Sequence, residues 1–134
     1  YLYALRKLNE PYVCYQASLY LEKKAILHLY DDIEKNQKNK SLTLQNFIQE
    51  DSNLHWALLK ACGNPFLIRA MSIVYDHVDR TRFLIRDPYL DEHFAEHKAI
   101  LLAMLDEDKE QIEKASLDHA VQSEKRALSL LLER

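Results

Sequence analysis

Glycine is nearly absent from this sequence. Of 134 residues only Gly63 is one, beside three prolines, Pro11, Pro65 and Pro88. A sandwich or barrel needs several turns with positive φ, which glycine supplies at least steric cost, so an all-β fold is excluded. Long apolar runs are missing too. No stretch approaches the roughly 18 residues that span a bilayer, and no membrane contact is expected. The chain opens Tyr-Leu-Tyr-Ala-Leu-Arg-Lys, without a signal-peptide pattern and without an initiator methionine, which reads as a piece of a longer protein. Cysteine is scarce. Cys14 and Cys62 lie far apart with no CxxC spacing, as expected for a reduced pair in a cytoplasmic protein. There is no basic excess. Lys and Arg number 18 against 21 Asp and Glu, a net charge of −3, so this piece is not expected to grip nucleic acid by itself. No HExxH, P-loop, GxSxG or GxGxxG motif is present, nor any Glu-x-x-His of the kind that builds a di-iron bundle.

What is present is helical periodicity in a chain of single-domain length, residues 1–134. Leu2, Leu5, Leu8, Tyr12, Tyr15 and Leu19 step by three or four, with Pro11 kinking the helix or opening a new one after Asn9. Ala25, Ile26, Leu29 and Ile33 follow, and the segment dies in the polar run 35–40. A third helix starts near Ser41 or Thr43 and ends at Gly63-Asn64-Pro65. A fourth runs from Pro65 to Asp87-Pro88. A fifth carries Leu90, Phe94, Leu101, Met104 and Leu105, and turns at Asp106–Asp108 into a sixth that runs to about Leu132. Six helices with short connections predict an all-α antiparallel bundle.

The pattern is informative where it breaks. The third helix's inner stripe runs 44, 47, 48, 51, 54, 55, 58, 59 and 62, and two of these are Asp51 and His55, one turn apart on one face. A buried carboxylate needs a partner or a metal. His97 lies on the stripe of the fifth helix and His119 on that of the sixth, each 11 residues from Asp108. Across an antiparallel hairpin such residues reach the same height, about 16 Å from the turn. Asp51, His55, His97 and His119 can therefore converge from three helices. Three imidazoles and a carboxylate suit one divalent transition metal: zinc, nickel, manganese or iron. His93, one turn before His97, is the competing ligand, ranked lower because Asp91, Glu92 and His93 read as a polar first turn. His28 and His77 read as structural or surface residues.

These residues resemble the C-terminal effector domain of GntR-type transcription regulators, the FCD (FadR C-terminal domain) class. Arg6 followed by Glu10-Pro11 is similar to the opening helix of that family. Asp51-Ser-Asn-Leu-His55, the apolar run after it and Gly63-Asn64 resemble its Asp-x3-His motif. Glu96-His97-Lys-Ala-Ile-Leu and the later His119 resemble its last two metal positions. The resemblance implies an all-α bundle around a central metal and ligand cavity. Asp51, His55, His97 and His119 would be the ligands and a small carboxylate the effector. The domain would form a homodimer and reach operator DNA only through a winged helix-turn-helix domain preceding Tyr1.

Cations near the metal would complete an anion site. Arg6 matches the family's opening arginine and is the first candidate; Arg80 and Arg82 follow. Asn64 either hydrogen-bonds in the cavity or caps a helix C-terminus. Tyr12, Tyr15 and Tyr20 stand where the family often has small residues, and are expected to narrow the cavity or line it with hydroxyls. The leading expectation is a sensor and not an enzyme. Its rivals are a mononuclear metal hydrolase and a metal-free dimerisation bundle.

Overall fold

The computed structural model describes residues 2–133. They form six helices and no strand: α1 Leu2–Tyr20, α2 Lys23–Lys38, α3 Leu44–Ala61, α4 Pro65–Ile85, α5 Leu90–Leu105 and α6 Lys109–Leu132. The fold is an all-α bundle. α1 packs on α6, α3, α4 and α5, while α5 and α6 form a hairpin with α2 laid against α5. Among the described residues no helix is long and apolar enough to cross a membrane.

The helix ends follow from local chemistry. Thr43 Oγ1 accepts from the Asn46 amide and starts α3. Asp108 Oδ1 does the same for Gln111 and starts α6. Such caps satisfy amides that have no partner within the helix. Gly63 sits at φ 75°. A side chain there would meet nothing within 4 Å, so it is the left-handed backbone that asks for glycine. α4 ends at Arg86, also left-handed at φ 51°, and the Asp87 amide reaches back to the Arg82 carbonyl. That turn folds Asp87 toward the end of its own helix, which matters for the site below.

Three boundary expectations change. Pro11 neither ends nor restarts a helix; α1 is continuous through it. Its packing on four other helices outweighs the one backbone hydrogen bond a proline removes. Asn9 is not a cap; its side chain donates to the Leu5 carbonyl. α2 continues to Lys38, past the start of the polar run, because Lys98 of α5 holds Glu34 at 2.7 Å and Gln37 at 2.5 Å.

The larger correction is the rotation of α1. Its inner face is Arg6, Glu10, Val13, Cys14 and Ala17. The leucine stripe read from spacing looks outward: Leu8 is 75% exposed and Leu19 56%. Tyr12 and Tyr20 are exposed as well, and Tyr15 lies under the Lys109 ammonium. These three tyrosines line none of the cavities described below, because small Val13, Cys14 and Ala17 take the inner positions.

Candidate metal and effector site

α3 presents Asp51 and His55, α5 presents His97 and α6 presents His119, all buried. His97 Nε2 lies 3.1 Å from His119 Nε2 and 3.0 Å from Asp51 Oδ1. His55 Nε2 lies 3.6 Å from the same oxygen. The rings of His97 and His119 meet edge to face at 4.6 Å, and the His55 ring stacks on His119 at 5.7 Å. One ligating atom from each of His55, His97 and His119 falls within 4.8 Å of the others. The four residues whose convergence was read from spacing are thus together in the fold.

Hydrogen bonding alone does not account for this cluster. Asp51 Oδ1 is buried and has no hydrogen-bond partner, although imidazole nitrogens of His97 and His55 lie 3.0 and 3.6 Å away. His119 Nδ1 donates to Glu96 Oε1 at 2.6 Å, which leaves Nε2 unprotonated, the acceptor in its 3.1 Å contact with His97 Nε2. Burial lowers the pKa of His97 to about 4, against the pull of Asp51. Burial and then His97 push His119 well below the usual range. At neutral pH both are uncharged imidazoles, the form that ligates metals. A carboxylate oxygen without a hydrogen bond beside three imidazoles is a donor set that suits a divalent transition ion, so these residues fit one.

Charge surrounds the cluster. Burial opposes ionisation of Asp51, yet Arg82, with His55 and His97 behind it, holds the carboxyl well below its ordinary range. Arg82 Nη1 donates to Asp51 Oδ2, its Nε lies 3.7 Å from Asp87 Oδ2, and its plane covers Phe47. Arg82 Nε and Nη2 are buried without hydrogen-bond partners. Arg6 is 3% exposed and gives its Nε to Glu10 Oε1 at 3.0 Å. Burial works against the Arg6 charge, but Glu10 raises its pKa further. The same Glu10 oxygen accepts from Tyr75 and lies 3.9 Å from His55 Nδ1.

Arg6 and Arg82 line one cavity with Tyr3, Asp51, His55, Tyr75 and His119. Its free room is about 20 Å³, enough for one water-sized group. Another cavity, about 60 Å³, reaches His97 and Asp51 between Leu29, Ile33, Phe47, Leu54 and Phe94. The remaining two candidates are elsewhere. Arg80 is exposed and in neither cavity; two residues from Arg82 it falls on nearly the opposite side of α4. Asn64 is a cap, but of an N-terminus: its Oδ1 accepts from the amides of Phe66 and Leu67 and starts α4. Asn64→Ala is therefore expected to cost about 1 kcal/mol of stability and to leave ligand binding unchanged. Urea unfolding beside a binding titration checks both halves.

Several residues around the cluster take roles that spacing did not assign to them. His93 is buried, not part of a solvated first turn. Its Nε2 donates to Asp87 Oδ2 at 2.7 Å, which turns that nitrogen away from a ligand's task. Glu96 follows the helical turn away from His97 and so meets His119 on the neighbouring helix. Arg126 of α6 clasps both Glu96 oxygens, at 2.6 and 2.7 Å. One ligating atom each from His93, Glu96 and His119 also falls within 4.8 Å of the others, and the Arg126 guanidinium stands among them, 3.4 Å from His93 Nδ1. The signal available in the sequence was the adjacency Glu96-His97 on one arm of a hairpin whose other arm carries His119.

No curated protein and no solved structure matches the chain. Residues 2–122 match the FCD domain, nearly the whole chain; the four clustered residues lie within that stretch, and the end of α6 with Arg126 lies beyond it. The chain belongs to the FCD domain family, the ligand-sensing regulatory domains of GntR-type regulators.

Proposed function

We propose that this domain senses a small carboxylate through one divalent transition ion held by Asp51, His55, His97 and His119. The observation that carries the reading is the buried Asp51 oxygen left without a hydrogen bond beside His55 and His97. A bound ion would supply positive charge and open coordination positions for an anion, since four protein ligands leave one or two free on an ion preferring five or six. The chain's own part is electrostatic. Arg6 and Arg82 are buried cations on the cavity beside the cluster, and Arg82 has two nitrogens unspent. Partly unpaired buried guanidinium groups favour an anion strongly. The cavity beside these arginines has room for one water-sized group, so an acid would have to displace side chains around it, and a short chain displaces the fewest. Zinc, nickel and manganese all suit the donors.

A sensor is favoured over a hydrolase by how the two carboxylates bonded to the clustered histidines and Arg82 are used. Asp51 is held by Arg82, and Glu96 by Arg126 and His119, so neither is free to take a proton from water. In the whole regulator the domain would act as a homodimer, and apolar faces stand uncovered on α1 (Leu5, Leu8, Leu19) and on α4 (Ile73, Phe83, Leu84). Operator DNA would be bound by an N-terminal domain. An effector that binds one arrangement of the bundle better would shift the spacing of the DNA-binding heads.

Elemental analysis of the purified chain is expected to find one transition metal per chain, absent from an Asp51→Ala/His97→Ala variant. Short carboxylic acids are then expected to raise the melting temperature of the loaded chain and not of the chelator-stripped one. No ion taken up when Zn²⁺, Ni²⁺ and Mn²⁺ are offered would sink the reading.

A further inference from the structure

The polar side chains around the cluster close into a ring. Asp51 meets Arg82, and Arg82 Nε lies 3.7 Å from Asp87. Asp87 holds His93 Nε2, and His93 Nδ1 faces Arg126 Nη2. Arg126 clasps Glu96, Glu96 holds His119 Nδ1, and His119 returns through His97 to Asp51. An outer arc, Asp87–His93–Arg126–Glu96, touches the donors directly at one point, Glu96 on His119, and at its other end reaches Asp51 only through Arg82.

We infer that Glu96 and Arg126 are positioning residues that set the tautomer of His119, and with it the affinity for the ion; this rests on the metal reading above. A carboxylate only accepts hydrogen bonds, so the 2.6 Å contact places the proton of His119 on Nδ1. Nε2 is then unprotonated on the side where His97 and His55 gather, and in the metal-free chain accepts from His97 Nε2. With the proton on Nε2 instead, the nitrogen facing the cluster would have no lone pair for a metal. Glu96 needs its own support, since a partly buried glutamate has several rotamers. The two-point grip of Arg126 selects one of them. It also leaves Glu96 no free oxygen with which to swing toward the ion. Carboxylate–histidine pairs of this kind raise ligand basicity and fix ring orientation in metal sites.

Two variants and two measurements test this on the whole chain. Glu96→Gln keeps the shape, but its amide can accept from Nδ1–H or donate to a bare Nδ1. Arg126→Leu removes the grip. In the metal-free chain, ¹⁵N NMR of the imidazoles reports which nitrogen of His119 carries the proton, with no ion involved. Zn²⁺ affinity is then measured by chelator competition, with helix content and the melting temperature of the stripped protein as controls for folding. The expected result is Nδ1–H at His119 in the parent chain and a mixture of tautomers in Glu96→Gln. Zn²⁺ binding is expected to weaken by roughly 10- to 100-fold in Glu96→Gln and less in Arg126→Leu, with rescue by Glu96→Asp greater than by any neutral residue. An Nε2–H tautomer in the parent, or Zn²⁺ affinity unchanged in Glu96→Gln, overturns the inference and leaves the metal reading standing. Failure of the parent to bind Zn²⁺ overturns both.

Discussion

Asp51→Ala is expected to destabilise the metal-free chain by about 3–5 kcal/mol, the range for breaking one half of a buried ion pair. The reason lies in what the substitution leaves behind. Asp51 and Arg82 are both buried and directly bonded, and Arg82 already has two nitrogens without partners. Without Asp51 the nearest carboxylate is Asp87, 3.7 Å from Nε and already committed to His93. A guanidinium never sheds its proton to escape burial, so the helices must open to hydrate it. Removing both partners, as in Asp51→Leu/Arg82→Met, is expected to recover most of the loss, because well-packed apolar replacements of buried pairs are often neutral. Both variants are expected to lose metal. Stability and metal binding therefore part company in the double variant, which shows that the two roles of Asp51 are distinct. Urea unfolding of chelator-treated protein measures all three chains. A loss under about 1 kcal/mol in Asp51→Ala, the scale of a solvated pair, would show that Arg82 is not held as described.

Acidification is the second large effect. In the metal-free chain His97 titrates at about 4 when folded, against 6.5 for an unperturbed histidine. Burial lowers His119 as well, with His97 adding to the shift, and it lowers His93 against the pull of Asp87. Between pH 6.5 and about 4 the unfolded chain takes up protons that the folded imidazoles refuse. Stability therefore rises with pH across that window: it is complete above about 6.5 and lost on the way down. By pH 5, His97 alone accounts for about 2 kcal/mol of the fall, and the other two histidines add to it. For a domain with about 5–15 kcal/mol in hand that is a large share. The check is a series of unfolding curves at pH 7, 6 and 5 on stripped protein, repeated on His97→Leu, whose decline is expected to be shallower. A flat profile would mean that the folded imidazoles accept protons, and so are hydrated or paired as cations.

Much of this was legible in the residue order, for reasons that are local. Thr43, Asn64-Pro65, Gly63, Asp87-Pro88 and Asp108 act within one turn of where they stand, so helix ends could be read from them to within a few residues. Pro11 with Asn9, and the polar run from Lys35, misled because there the outcome depended on packing against other helices; Asn64 marked a boundary but caps the helix after it, not the one before. The approach of His97 to His119 was legible because a hairpin with a short turn fixes register. Equal distances from Asp108 bring the two Nε2 atoms to 3.1 Å. Asp51 and His55 followed from one helical face.

What periodicity did not decide was which way α1 turns and what surrounds the donors. Spacing ranks residues by their individual preference for water, and on that scale Leu5, Leu8 and Tyr12 outrank Arg6 and Glu10. The fold chose the reverse. A buried charge is tolerable only when partners meet it, and those of Arg6 and Glu10 include Tyr75, far away in sequence on α4. Small Val13, Cys14 and Ala17 then let α1 lie close against its neighbours. The same holds for Glu96, Arg126, His93 and Asp87, whose pairings cross between helices or around the α4–α5 turn. The residue order by itself determined the helices and the histidine register, because those are set by short-range geometry. The polar ring and the inward face of α1 were decided only by tertiary structure, because they are stabilised by pairs that exist once several helices have met.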